Sequence, residues 1–227
     1  MWCISEVEIF QDLSDAEMTS IAERAPMKTV DSGTVFYSPE QPTEVLFILK
    51  QGRVRLFRLS PQGKALTTEV LIPGNIFGEM AILGQRMQDH FAEALDDCVI
   101  CLMSKEDVRQ LLMSDPRIAA RLAETLSNRL FDMEQRLSDF AFKNVPQRIA
   151  STLLTFNKTD HARSNWLFGK PVIRLTHEQL AEFAGTYRET VTKVLNELRD
   201  QGVINLRRGK IELIDIPALE KLSEEYA

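Results

Sequence analysis

The sequence predicts an α+β chain in three parts: an antiparallel β-roll, a long helix, and a smaller helical domain closed by a β-hairpin. Three observations carry this reading. Between Met27 and Met103, short β-rich runs are punctuated by glycine and proline. From Pro116 to Phe142, apolar residues recur every three or four positions. Two short amphipathic segments then meet at a single glycine, Gly185. The expected boundaries are 1–114 for the roll, 115–143 for the long helix and 144–227 for the C-terminal domain.

Residues 5–25 read as short helices, with Ser14 or Asp15 as a cap and Ile21 on an apolar side. The β-rich runs are Thr34–Tyr37, Glu44–Leu49, Arg53–Leu59, Ala65–Ile72 and His90–Met103, and a roll of about eight short strands fits them. In Arg53–Leu59, Val54 and Leu56 compete with Phe57 and Leu59 for the interior. Pro116 suits the first position of the long helix. Its stripe of Ile118, Leu122, Leu126, Leu130, Met133, Leu137 and Phe140 suits a facing helix. A single long helix after a roll has few partners of its own, so the stripe predicts a homodimer, with packing on the chain's own second domain as the alternative. Lys143-Asn144-Val145-Pro146 breaks the pattern, and Asn144 can start the next helix.

Thr176-His177-Glu178-Gln179 is a capping box, and Leu180, Phe183 and Ala184 follow on one helical face. Gly185 offers the left-handed residue that a tight interhelical turn needs. In the next helix, Val191, Val194, Leu195 and Leu198 fall on one side, and Arg188, Glu189, Thr192, Lys193 and Asn196 on the other. This is the layout of a helix-turn-helix whose second helix enters the DNA major groove. Arginine and lysine can donate to guanine, and glutamate can accept from cytosine. A hairpin, Val203–Leu206 and Ile211–Ile214, places Arg207, Arg208 and Lys210 at its tip, where three cations suit phosphates. An ordinary three-helix bundle with a solvated charged face would explain the helices but not the hairpin.

Bulk properties agree. The net charge of −6 opposes a general nucleic-acid binder, yet residues 143–227 carry 13 Lys and Arg against 11 Asp and Glu, a net of +2 that leaves −8 for the rest. No run of about 18 apolar residues exists, and Met1–Glu8 carries acids where a secretory leader carries bases. A cytoplasmic location without membrane contact is expected. The three cysteines, Cys3, Cys98 and Cys101, cannot all pair within one chain. Cys98 and Cys101 point to opposite faces of a strand, so buried thiols are expected, with redox sensing through Cys3 or Cys98 the alternative. No catalytic motif such as G-x-S-x-G or H-E-x-x-H is present, and no enzyme activity is expected.

Taken together, Leu175–Gly185 and Arg188-Glu189-Thr190-Val191 resemble the helix-turn-helix of the CRP/FNR family of bacterial transcription regulators, and the resemblance covers nearly the whole chain. It implies a cyclic-nucleotide-binding-like β-roll and a C-terminal winged helix-turn-helix. It also implies base reading by Arg188, Glu189 and Lys193, phosphate contacts at Thr176 and Thr190, and a palindromic promoter site with TGTGA-like half-sites. RNA polymerase is an implied partner. Lys193 stands where many relatives carry Arg, and Tyr187 where relatives often carry a Ser or Thr cap, a role Thr186 with Glu189 could take over.

Phe77–Leu83 resembles the start of the family's phosphate-binding cassette, which implies an effector pocket around Gly78, Glu79, Met80, Arg86 and Met133. Glu79 is alternatively a structural residue at a turn of the roll. Where cyclic-nucleotide binders place an Arg-Ser or Arg-Thr pair for the phosphate, this chain has Gln88-Asp89-His90, and Met133-Glu134 replaces the hydroxyls offered to adenine. Cyclic AMP is therefore not the expected effector, and the effector is unknown or none. The segment His90–Cys101 resembles the FNR side of the family, but a single N-terminal cysteine cannot complete a four-cysteine iron–sulfur site. Haem-binding relatives use a sensor-domain histidine, and here His90 is the only histidine in that domain, so no cofactor or metal is expected. The competing reading is a nucleotide- or redox-sensing module acting on a protein partner.

Overall fold

The computed structural model describes residues 7–41, 43–78, 90–161 and 171–224. They fall into two compact units, Met1–Asp132 and Met133–Ala227, with the division inside one helix. In the first unit a single 3-10 turn, Glu8–Phe10, precedes helix α1 (Asp15–Arg24). Ser14 is its cap. The Ser14 hydroxyl accepts from the Glu17 amide while the Glu17 carboxylate accepts from the Ser14 amide, satisfying two N-terminal donors.

Among the described residues eight strands follow: β1 (Met27–Val30), β2 (Val35–Tyr37), β3 (Val45–Gln51), β4 (Val54–Leu59), β5 (Ala65–Leu71), β6 (Ile76–Phe77), β7 (Phe91–Ala94) and β8 (Cys98–Ser104). They form two antiparallel sheets in the orders β1-β8-β3-β6 and β2-β7-β4-β5. β3 is apolar at every position from Val45 to Leu49 because both its faces are covered. Phe47 and Leu49 join Tyr37, Val54, Leu71 and Phe77 in a core drawn from both sheets. Leu46 and Ile48 join a second core with Phe10, Ile21, Met103, Val108, Ile118 and Leu122. Each such side chain contributes roughly 1.5–3 kcal/mol by leaving water.

The structure departs from the sequence reading at several strands. His90–Met103 is two strands in different sheets, divided by Asp96 and Asp97. Asp96 accepts two hydrogen bonds from Arg53, at 2.7 and 3.0 Å, and Asp97 accepts from the Ser32 amide, so both carboxylates stabilise the corner. In β4, Val54 and Leu56 pack on the core between the sheets. Phe57 is buried differently: it stacks on Phe91, with ring centroids 4.9 Å apart, and lies under the Arg55 guanidinium at 4.4 Å. β1 has mostly exposed residues and no clean alternation, which left it unanticipated. Cys98 and Cys101 are both buried but belong to different cores, as opposite faces require. Burial raises the Cys98 thiol above its ordinary range.

Helix α2 (Lys105–Ser114) was also unanticipated, although the Ser104 hydroxyl accepts from the Asp107 amide in an ordinary cap. Helix α3 (Pro116–Phe142) begins at proline, as expected. Its stripe is divided. Ile118 and Leu122 are buried in the core of their own unit and Leu126 packs against it, which corrects the expectation that the helix has few partners at home. Arg129 reinforces this, donating to the Ile76 carbonyl and pairing with Glu69 at 3.2 Å. Farther on, Leu130, Met133 and Leu137 are 59%, 58% and 70% exposed.

The second unit contains the end of α3 and helix α4 (Val145–His161), where Asn144 and Gln147 cap each other's amides. Strand β9 (Val172–Ile173), helix α5 (His177–Ala184), helix α6 (Arg188–Asp200), strands β10 (Ile204–Arg207) and β11 (Lys210–Leu213), and helix α7 (Ile216–Glu224) complete it. The sheet order is β10-β11-β9, with β9 a third strand beyond the expected hairpin. Ile149, Leu153, Leu180, Val191, Leu195, Ile211 and Leu219 form its interior. Among the described residues no helix is long and apolar enough to cross a membrane, and no cluster of side chains is arranged to hold a metal ion.

Candidate nucleic-acid interface

Helix α5 starts where the capping box placed it. The Thr176 hydroxyl accepts from the Gln179 backbone amide at 3.1 Å, and the Gln179 side-chain Oε1 accepts from the Thr176 amide at 2.9 Å. It ends at Gly185, with φ 61° and ψ 42°, while the Gly185 and Thr186 amides both donate to the Ala181 carbonyl. A Cβ on Gly185 would overlap the edge of the Phe140 ring, so the turn requires glycine both for its conformation and for its space. Arg148 secures the same corner by donating to the Ala184 carbonyl at 2.9 Å and the Lys143 carbonyl at 2.8 Å. Its guanidinium lies 5.3 Å from the Phe140 ring centre. Phe140, expected in the facing-helix stripe, thus packs within its own unit. Neither Arg148 nor this use of Phe140 was legible in the sequence, since both depend on a contact between distant segments.

Helix α6 buries Val191, Val194, Leu195 and Leu198 and exposes Arg188, Glu189 and Lys193, with Thr190 half-buried. Tyr187 occupies the N-cap without a side-chain cap hydrogen bond. Thr186 is buried and does not replace it, because the N-cap position falls one residue later, at Tyr187. Across from this helix, Arg207 pairs with Lys210 at the end of the hairpin, and Arg208-Gly209 forms its two-residue tip. Both strands run one residue nearer the tip than expected, while Leu206 pairs with Ile211 as the expected hairpin requires. Arg207, Arg208 and Lys210 are all exposed.

Thr176, His177, Glu178, Arg188, Arg207 and Lys210 line one concavity between the start of α5 and the hairpin. Three fixed cations and a helix N-terminus face it, an arrangement that attracts an anion. His177, absent from the expected contacts, lies 2.9 Å through Nδ1 from the Thr192 hydroxyl oxygen. Thr192 is half-buried, and its hydroxyl also donates to the Arg188 carbonyl at 2.9 Å, so this hydroxyl is engaged within the protein. Burial, and then the Arg188 charge, lower the His177 imidazole from its ordinary range.

On the sensor side, Gly78 has φ 86°, and a Cβ there would overlap the Val45 carbonyl oxygen, which gives this glycine a structural reason. Met133 is exposed. Glu79, Met80 and Arg86 lie outside the described residues, as do Gln88 and Asp89.

A two-sheet roll, a long helix and a winged helix-turn-helix with a cationic concavity define a DNA-binding regulator. The family profile of the cyclic nucleotide-binding domain matches residues 27–115, and that of the Crp-like helix-turn-helix domain matches residues 147–222. The chain is 34% identical to the transcriptional regulator SdrP of Thermus thermophilus, over 91% of this chain and 97% of that one. It is 32% identical to the cyclic AMP receptor protein of the same organism, over 79% of this chain and 80% of the relative. A crystal structure of a CRP/FNR-family transcriptional regulator from Thermus thermophilus superposes with a TM-score of 0.75 at 33% identity, covering 89% of this chain and 100% of that one. The chain belongs to the CRP/FNR family of transcriptional regulators.

Proposed function

We propose that the chain binds a palindromic DNA site with TGTGA-like half-sites as a homodimer and controls transcription from it, with RNA polymerase as the partner this implies. The carrying observation is the exposure of Arg188, Glu189 and Lys193 on a helix whose opposite face is buried. Glu189 is the most informative, because a carboxylate facing a polyanion costs affinity at every site except where it accepts from a base. Thr176, Thr190, Arg207, Arg208 and Lys210 serve as phosphate contacts, and Thr192 supports the helix from within. The exposed Leu130, Met133 and Leu137 of α3 support the dimer seam. Cyclic AMP is not the signal in this reading, since Gln88-Asp89 replaces the cationic pair that would hold its phosphate.

Selection from random-sequence DNA, followed by affinity measurements, tests it. Glu189→Ala should relax choice at one base pair of each half-site, worth about 1–3 kcal/mol of discrimination. Arg208→Ala should weaken all sequences alike and reduce the salt slope by about one. If both substitutions lower affinity uniformly, the assignment of base readout is wrong. A wild-type chain that sediments as a monomer and ignores half-site symmetry would remove the homodimer.

A further inference from the structure

We propose that His177 is a positioning residue of the DNA-reading element that becomes a phosphate contact by taking up a proton when DNA binds. The inference rests on the DNA-binding reading above and adds a residue and a regulation to it.

The geometry begins with one hydrogen. The Thr192 hydroxyl has a single proton, and the Arg188 carbonyl at 2.9 Å receives it. The His177 Nδ1, also 2.9 Å from that hydroxyl oxygen, must therefore donate. The imidazole carries its proton on Nδ1 and its lone pair on Nε2. This chain of two bonds ties the first residue of α5 to the first turn of α6, where Arg188 and Glu189 project. It restricts how that turn can rotate against the rest of the domain.

The groups facing His177 come from three elements. Glu178 lies beside it on α5, Arg188 faces it from α6, and Arg207 and Lys210 line the same concavity from the hairpin. Burial and Arg188 keep the ring neutral in free protein at pH 7. A backbone phosphate entering the concavity offsets the surrounding cations and favours a second proton, on Nε2, which then donates to the phosphate. Because the free-state imidazole is depressed, binding takes up a proton. Affinity therefore rises as pH falls and levels off once free His177 is itself protonated. The limiting slope is about tenfold per pH unit for one linked proton.

The test uses the full chain and a labelled duplex carrying inverted TGTGA half-sites one helical turn apart. A scrambled duplex is the control, and ionic strength is fixed from pH 5.5 to 8.5. Wild type should bind the site several-fold more tightly at the acid end. His177→Ala should lose discrimination between the two duplexes at every pH. His177→Gln, which keeps an amide donor for Thr192, should regain discrimination with a flat pH profile. Thr192→Val should lose discrimination but keep the pH slope. A flat wild-type profile, or a His177→Gln slope equal to wild type, overturns the proton uptake. Discrimination unchanged in Thr192→Val overturns the positioning role. Absence of site-specific binding by wild type at every pH overturns both this inference and the DNA-binding reading beneath it, whereas specific binding with a flat profile overturns the inference alone.

Discussion

Gly185→Ala separates two costs that the helix-turn-helix corner imposes on one residue. The backbone there is left-handed, at φ 61° and ψ 42°, which costs an alanine about 1–2 kcal/mol. The new methyl also overlaps the Phe140 ring edge and comes within 3.0 Å of its Cζ. Displacing a ring held under Arg148 is an overpacking change, worth about 1–3 kcal/mol. Together they predict about 2–5 kcal/mol of local destabilisation. Asparagine tolerates the left-handed region but still carries a Cβ, so Gly185→Asn should show mainly the steric part. In Gly185→Ala/Phe140→Ala the clash disappears, and the double variant should be more stable than the two single effects added together by about 1–3 kcal/mol.

Hydrogen exchange on the α5 and α6 amides of the full chain reads this directly, because it reports the opening free energy of that segment rather than of the whole protein. Protection should fall in the order wild type, Gly185→Asn, Gly185→Ala. Strictly additive effects in the double variant would refute the steric part. Equal protection in Gly185→Ala and wild type would refute both.

Leu137→Glu places a charge on an exposed apolar position of α3 and should shift sedimentation from dimer to monomer while circular dichroism is retained; a persistent dimer would exclude that seam. Asp12, Glu17 and Asp115 are held below the ordinary carboxylate range, chiefly by Arg121, Ser14 and Arg117 respectively. Their contribution is complete above about pH 5 and is lost progressively as pH falls below it. Urea midpoints should therefore decline in acid, and Asp12→Asn should remove part of the decline; these groups are exposed, so the effect is small and weakened by salt. In a Cys3→Ser variant, Cys98 and Cys101 should react with a thiol reagent only as fast as the roll opens, since both are buried and the Cys98 thiol is raised; prompt labelling would contradict this.

Local signals in the sequence suffice where one segment contains all the chemistry. Thr176-His177-Glu178-Gln179 and Gly185 define a helix start and a turn without help from elsewhere, and Pro116 marks its helix similarly. Contacts between distant segments were not legible. Phe57 is buried where Phe91 lies across the strand pair and Arg55 lies over its ring, and the Asp96 corner is held by Arg53 from a distant strand. His177 has the same origin, because its partner Thr192 is brought near by the turn at Gly185. An imidazole beside a cap carries no signal of its own until that geometry is known.

The division of the α3 stripe changes what a signal from the roll would have to do. Ile118, Leu122 and Arg129 commit the first part of the helix to the roll's own core and to Glu69. Arg136 lies 5.8 Å from the Phe183 ring centre, and Phe140 packs against Gly185, committing the last turns to the reading domain. Leu130, Met133 and Leu137 between them are left exposed. The division between the units falls inside this helix, and Leu130 in the first unit and Met133 and Leu137 in the second remain exposed. Pairing of the apolar middle with a second copy would fix that element in place. A second copy pairing there would cover apolar surface that this chain leaves in water, which is why Leu137→Glu is the decisive substitution for the seam.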